Sequence, residues 1–216
     1  MGIAESIRQL KNELPSTVQL VAVSKFKPVE AIMEAYSAGQ RAFGENRPQE
    51  LAAKAGVLPD DIAWHFIGHL QTNKVKMVVP YATLIHSVDS ERLLAEIDRC
   101  ARSLGRVCDI LLEVHIAAES SKHGFSCEEA EAVAARMGEW PGVRLRGVMG
   151  MATFTDDMEQ VRQEFRNLKA LSGRMAARIP GCDIISMGMS DDWRIAVEEG
   201  TTLVRIGTFI FGKRNA

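Results

Sequence analysis

The chain has few aromatic residues, few cysteines and no excess of charge of either sign. Its 216 residues carry 6% aromatics and a formal net charge of −2. No basic run stands out, which argues against a nucleic-acid partner. No apolar stretch approaches the roughly 20 residues that a membrane-spanning helix needs, so no membrane role is expected. The four cysteines, Cys100, Cys108, Cys127 and Cys182, include no close pair, and Cys108 falls in an apolar strand pattern. Reduced thiols in a cytoplasmic protein are therefore expected, with neither disulfides nor a zinc site. His65 and His69 lie four apart, but in "IAWHFIGHL", which reads as strand then turn, so helical metal-ligand spacing does not apply and no metal is expected. The N-terminal "MGIAESIRQLKNEL" has the apolar period of an amphipathic helix with both charge signs, not the layout of a secretory leader. What remains is 46% hydrophobic and 25% charged, the composition of an ordinary soluble globule with a sizeable core.

One unit recurs along the chain. "VQLVAVSK" reads as a strand, and Pro28 opens the helix "PVEAIMEAYSAG", which Gly39 closes. "RAFGEN", "IAWHFIG", "TLIHSVD", "CDILLEVHI", "VRLRGVMGM", "CDIISMGM" and "TLVRIG" follow as strands. Each is succeeded by a helical pattern except the last, where "TFIFGKR" trails off, and Ser90 reads as the N-cap of the helix after strand four. Alternation of this kind calls for parallel strands joined by helical crossovers. Eight units without a linker predict an α/β chain forming a single (β/α)₈ TIM barrel over residues 1–216, with an extra N-terminal helix. The rival, an open doubly wound sheet, usually carries a glycine fingerprint after strand one; here "SKFKP" stands in that place.

A barrel of this type builds its site where the strands end. Lys25 lies at that rim, sharing a strand face with Val21 and Val23. After strand seven, "SMGMSDD" offers Ser186 and Ser190 ahead of a helix expected to begin at Asp191 and Asp192, with Ser190 as its N-cap or as a phosphate donor. On strand eight, Gly207 and Thr208 let main-chain amides approach an anion, and loops seven and eight form the recurrent phosphate site of the fold. Arg205, between Val204 and Ile206, points into the barrel if those two face the helices. Its guanidinium then needs a partner, either a carboxylate such as Glu45 or a ligand. A rim lysine opposite a phosphate cradle suits a phosphorylated aldehyde held as a Schiff base, pyridoxal 5′-phosphate being the common case.

"VAVSKFKP", "FGEN..QE", "WHFIGHLQTNK", "HSVDS", "SKHGF", "RGVMGMATF", "SMGMSDDW" and "VRIGT.IFG" resemble, in order, the motifs of the pyridoxal phosphate homeostasis protein family. The resemblance runs from about residue 18 to 214 and implies the fold-type III barrel of the N-terminal domain of alanine racemase. It makes Lys25 the cofactor lysine and Asn46 a neighbour of the cofactor ring. Ser186, Ser190, Gly207 and Thr208 become the phosphate grip, and Arg205 faces the pyridine nitrogen. A cation there would discourage ring protonation and weaken the electron sink. The pattern lapses at Arg47-Pro48, where the family more often has an aromatic and a small apolar residue.

The racemases of this fold add a tyrosine from a second domain. This chain has only Tyr36, within the first crossover helix, and Tyr81, ahead of strand four. No catalytic residue is therefore assigned. The expected function is a carrier that holds, buffers or delivers pyridoxal phosphate, with cofactor-dependent apo-enzymes as partners. Two alternatives stay open: a weak amino-acid racemase or lyase that uses Lys25 alone or with His65 or His86, and a sugar-phosphate isomerase. Lys122 of "ESSKHGF" is a further rim lysine, read as a solvated loop residue.

Overall fold

The computed structural model describes residues 2–118 and 124–212; Lys122 lies outside them. Helix α1 (Ile3–Glu13) precedes eight strands: β1 (Gln19–Val23), β2 (Ala42–Glu45), β3 (Ala63–Phe66), β4 (Ala82–Val88), β5 (Cys108–Glu113), β6 (Val143–Met149), β7 (Ile184–Ser186) and β8 (Leu203–Ile206). They pair in parallel and in sequence order, and β8 closes on β1. The crossovers are α2 (Val29–Ser37), α3 (Pro48–Ala55), α4 (Val75–Val78), α5 (Glu91–Ser103), α6 (Cys127–Ala135), α7 (Met158–Ala176) and α8 (Trp193–Glu198). The trailing "TFIFGKR" holds a last short helix, α9 (Thr208–Phe211). This is a TIM barrel.

The alternation of side chains along each strand separates two cores. Val21, Ala42, Leu84, Leu111, Met149 and Leu203 face inward and pack together inside the barrel. Their outward neighbours, Ala22, Phe43, Ile85, Leu112, Val148 and Val204, pack against the helices. Each helix brings an apolar stripe to that second core: α5 buries Leu93, Leu94, Ile97, Cys100 and Ala101. Its start is fixed by Ser90, whose hydroxyl accepts the Leu93 amide at 3.4 Å. Gly39 ends the α2 segment at φ +87°, a conformation that a Cβ would penalise. All four cysteines are free, and burial pushes the Cys108 thiol up to about 12. Among the described residues no helix is long and apolar enough to cross a membrane, and no group of three or more His, Cys, Asp or Glu stands together to hold a metal ion.

Candidate cofactor site

Strand parity decides which residues share the mouth. On β8, Leu203 faces inward and Val204 and Ile206 outward, so Arg205 enters the barrel, where it is 4% exposed. Its Nη1 donates to the main-chain oxygen of Ser186 at 2.8 Å and to the Ser186 hydroxyl, and its Nη2 donates to Gly150 O at 3.2 Å. The carboxylate partner suggested by the sequence, Glu45, is not its partner. On β2, Ala42 faces inward and Phe43 outward, so Glu45 faces outward toward α3 and pairs there with Lys54 at 2.7 Å. Burial lowers the Arg205 pKa to about 10, against the opposing field of Asp192 and Glu113, so the guanidinium stays charged at neutral pH.

Ser186 continues a buried chain. Its hydroxyl lies 2.9 Å from His86 Nδ1, and His86 Nε2 lies 2.9 Å from His65 Nδ1. Burial pulls the His65 pKa down to about 4 and that of His86 well below its usual value, with His65 and Arg205 adding to the effect at His86. Both imidazoles are therefore neutral at pH 7 and are committed to each other beneath the mouth. Nothing in the sequence spacing connects His65, His86, Ser186 and Arg205; only the closed barrel brings their inward faces together. Ser186 is thus fully buried, with its hydroxyl held between Arg205 and His86 and set beneath the loop in which Ser190 lies.

The rim itself is made where β7, β8 and β1 meet. Ala22 pairs with Ile206, so Val23 and Gly207 lie side by side at the strand ends, with Lys25 two residues beyond the one and Thr208 directly after the other. A Cβ on Gly207 would meet Val23 O at 3.2 Å, so glycine allows the two strand ends to close up. Lys25 and Ser190 are half-buried and Thr208 is exposed. The helix after β7 starts later than the sequence suggested: α8 begins at Trp193, and Ser190 does not cap it. Gly188, at φ +95°, and the Asp192 carboxylate, which accepts the Met189 amide at 2.5 Å, first build a turn over residues 189–192. Ser190 is carried by that turn. Lys27 points elsewhere, donating from Nζ to Phe211 O at 2.8 Å at the C-terminal end of α9.

Next around the mouth, Asn46 follows β2, the strand paired with β1 on its other edge. Its Oδ1 is buried and has no hydrogen-bond partner among the described residues. Such an acceptor lowers its free energy by meeting a ligand donor or a water. Arg47 lies over the Phe26 ring at 4.3 Å, and Pro48 opens α3. Both tyrosines are remote from this end. The Tyr36 hydroxyl donates to Asp61, ahead of β3, at 2.7 Å, and Tyr81 precedes β4. A rim amine, a glycine-lined strand end, a buried guanidinium and an orphaned amide oxygen make a set of donors and one acceptor suited to a phosphorylated heteroaromatic aldehyde.

A profile described as the N-terminal domain of alanine racemase matches residues 2–215. The pyridoxal phosphate homeostasis protein of Vibrio alginolyticus is 41% identical over 206 residues, covering 93% of this chain and 88% of that protein. The chain belongs to the pyridoxal phosphate homeostasis protein family. The Escherichia coli member is 35% identical over 99% of this chain and 97% of its own. The structure of PipY from Synechococcus elongatus with PLP bound superposes with a TM-score of 0.88 at 38% identity, covering 97% of this chain and all of that one. Alanine racemase from Streptomyces coelicolor, at 18% identity and a TM-score of 0.79, shares the fold across 58% of its length.

Proposed function

We propose that this chain binds pyridoxal 5′-phosphate through Lys25 as a Schiff base and serves in its homeostasis, buffering the cofactor and delivering it to apo-enzymes. The observation that carries the reading is the close approach of Val23 and Gly207, which brings the end of β1, two residues before Lys25, against the Gly207-Thr208 strand end beside the buried Arg205. The names of the relatives and the PLP-bound PipY structure support it. When bound, the cofactor would supply an electron sink; the residues around it favour holding over turnover. Ser190 and the Gly207-Thr208 amides would grip phosphate, Asn46 would lie beside the ring, and Arg205 would meet the ring nitrogen side. Ser186, engaged by Arg205 and His86, would act by fixing Arg205 in place. A fixed guanidinium opposite the ring nitrogen disfavours ring protonation and so weakens carbanion chemistry.

The test is the absorption spectrum of the purified protein with the cofactor, before and after borohydride reduction, with peptide mapping of the reduced lysine. Label on Lys25, lost in a folded Lys25→Ala variant, is the expected result. Label on another lysine with Lys25 untouched would refute the assignment.

A further inference from the structure

Lys25 sits at the apex of a tight turn whose form is unusual for its sequence. Lys27 N donates to Ser24 O at 3.0 Å, so Ser24 to Lys27 make a β-turn with Lys25 and Phe26 as its central pair. Phe26 has φ +62°, and among the described residues it is the only non-glycine residue with positive φ. A positive φ at the third position alone is the mark of a type II turn, where glycine is the usual occupant. A bulky side chain held there is strained and persists only where the surroundings enforce it.

The enforcing groups come from α3 and β2. Glu50 Oε2 accepts the Phe26 amide at 2.8 Å. That amide belongs to the central peptide of the turn, and types I and II differ chiefly by a flip of this peptide. Lys54, 7% exposed, spends its ammonium on Ser24 O at 2.9 Å, Glu45 Oε1 at 2.7 Å and Glu50 Oε2 at 3.3 Å. The Ser24 hydroxyl donates to the same Glu45 oxygen at 2.5 Å. Both residues that flank Lys25 are thus tied, on the helix side of the sheet, to one buried ion cluster.

We propose that Glu50, itself held by Lys54, is a positioning residue for Lys25: it locks the 25–26 peptide in the type II orientation and so sets where the lysine amine meets a bound aldehyde. This rests on the reading of Lys25 as the cofactor lysine. In the step concerned, the neutral amine forms a bond to the aldehyde carbon, and the carbonyl oxygen leaves as water with the two amine hydrogens, without oxidation or reduction. Glu50 touches none of these atoms. Its part is geometric, and misplacement of a reacting group by about 1 Å can slow a reaction on the order of 100-fold.

The experiment follows the growth of Schiff-base absorbance after mixing pyridoxal phosphate in excess with the full chain, alongside thermal melting. Glu50→Ala is expected to slow the growth by about 10–100-fold. The double variant Glu50→Ala/Phe26→Gly is expected to regain most of the rate, because glycine takes positive φ without a lock. The ion-cluster contacts of Glu50 are still missing there, so recovery of the rate marks the turn geometry, which a merely stabilising Glu50 would not produce. An unchanged rate in Glu50→Ala, or no recovery in the double variant, overturns the proposal. If borohydride fails to trap Lys25 in the unmodified protein, the functional reading itself has failed and this proposal falls with it; the two failures are told apart by that control.

Discussion

A Cβ placed on Gly68 would lie 2.4 Å from the main-chain oxygen of Asn46 and 2.7 Å from its Cα. The turns after β2 and β3 are pressed together at the mouth, and the Ser87 hydroxyl holds Gly68 from the other side through its carbonyl at 2.5 Å. Gly68→Ala is therefore expected to push Asn46 out of place, with a stability loss of about 1–3 kcal/mol, the usual penalty of overpacking. Melting temperature and cofactor retention should fall together. Retention unchanged in a destabilised variant would mean that Asn46 does not face the ligand.

Arg205 bridges strands β6, β7 and β8 through main-chain acceptors, and a lysine cannot reproduce its fork. Arg205→Lys should leave Gly150 O short of its partner, at a penalty of about 1–3 kcal/mol, read as a lower urea midpoint in the cofactor-free protein. A midpoint equal to that of the unmodified chain would mean that the guanidinium serves the ligand alone.

The His65–His86 pair predicts a pH dependence. The folded state holds His65 neutral down to about pH 4, whereas the unfolded chain binds the proton near its ordinary value of 6.5. Between those values the unfolded state carries more protons, so stability falls as the pH drops from about 6.5 toward 4. At roughly 1.4 kcal/mol per pKa unit, His65 alone accounts for at most about 3 kcal/mol of loss at the low end. In His65→Gln the urea midpoint should decline less steeply across this window. Parallel curves for the two proteins would remove His65 from the account.

Phosphate grip and covalent linkage should separate. Charge-assisted hydrogen bonds contribute roughly 1.5–3 kcal/mol, so Ser190→Ala should weaken retention of pyridoxal phosphate by about one to two decades. Pyridoxal, which lacks the phosphate, should bind both forms nearly alike. Equal weakening of both ligands would show that Ser190 shapes the pocket without gripping phosphate.

Catalysis of amino-acid racemisation should be slow. Tyr36 and Tyr81 are remote from the mouth, and His65 and His86 are bonded to each other, so neither the tyrosines nor this histidine pair is placed to serve as a second base with Lys25. Turnover of single alanine enantiomers should lie far below the ordinary range of about 1–10³ per second. A rate within that range, abolished by Lys25→Ala, would make the chain an enzyme.

The barrel was legible because its signal is repeated. Eight apolar runs of strand length, each followed by a helical period, leave little choice of topology, and the rim position of Lys25 and the inward turn of Arg205 follow from parity. The partner of Arg205 was less accessible. Glu45 reads as a plausible counter-ion until Ala42 and Phe43 show which face of β2 is inward, and Lys54 reads on a helix as half of a solvated i,i+4 pair with Glu50. The start of α8 was misplaced because a turn closed by an aspartate and a helix opened by a serine leave similar traces in sequence. His86 and Ser186, 100 positions apart, have no local signature of their contact at all.

The pairing of β8 with β1 also sets an order of events. Lys25 is synthesised long before Gly207 and Thr208. If Lys25 is the cofactor lysine and Gly207-Thr208 the phosphate grip, as proposed, neither half offers a ligand site alone, since the two come together only when β8 docks on β1. A nascent chain still lacking β8 therefore cannot sequester the vitamin, and a truncated product is blind to it. Loading becomes a report that the ring of strands is complete, so cofactor-bound chains are by construction those that have finished folding.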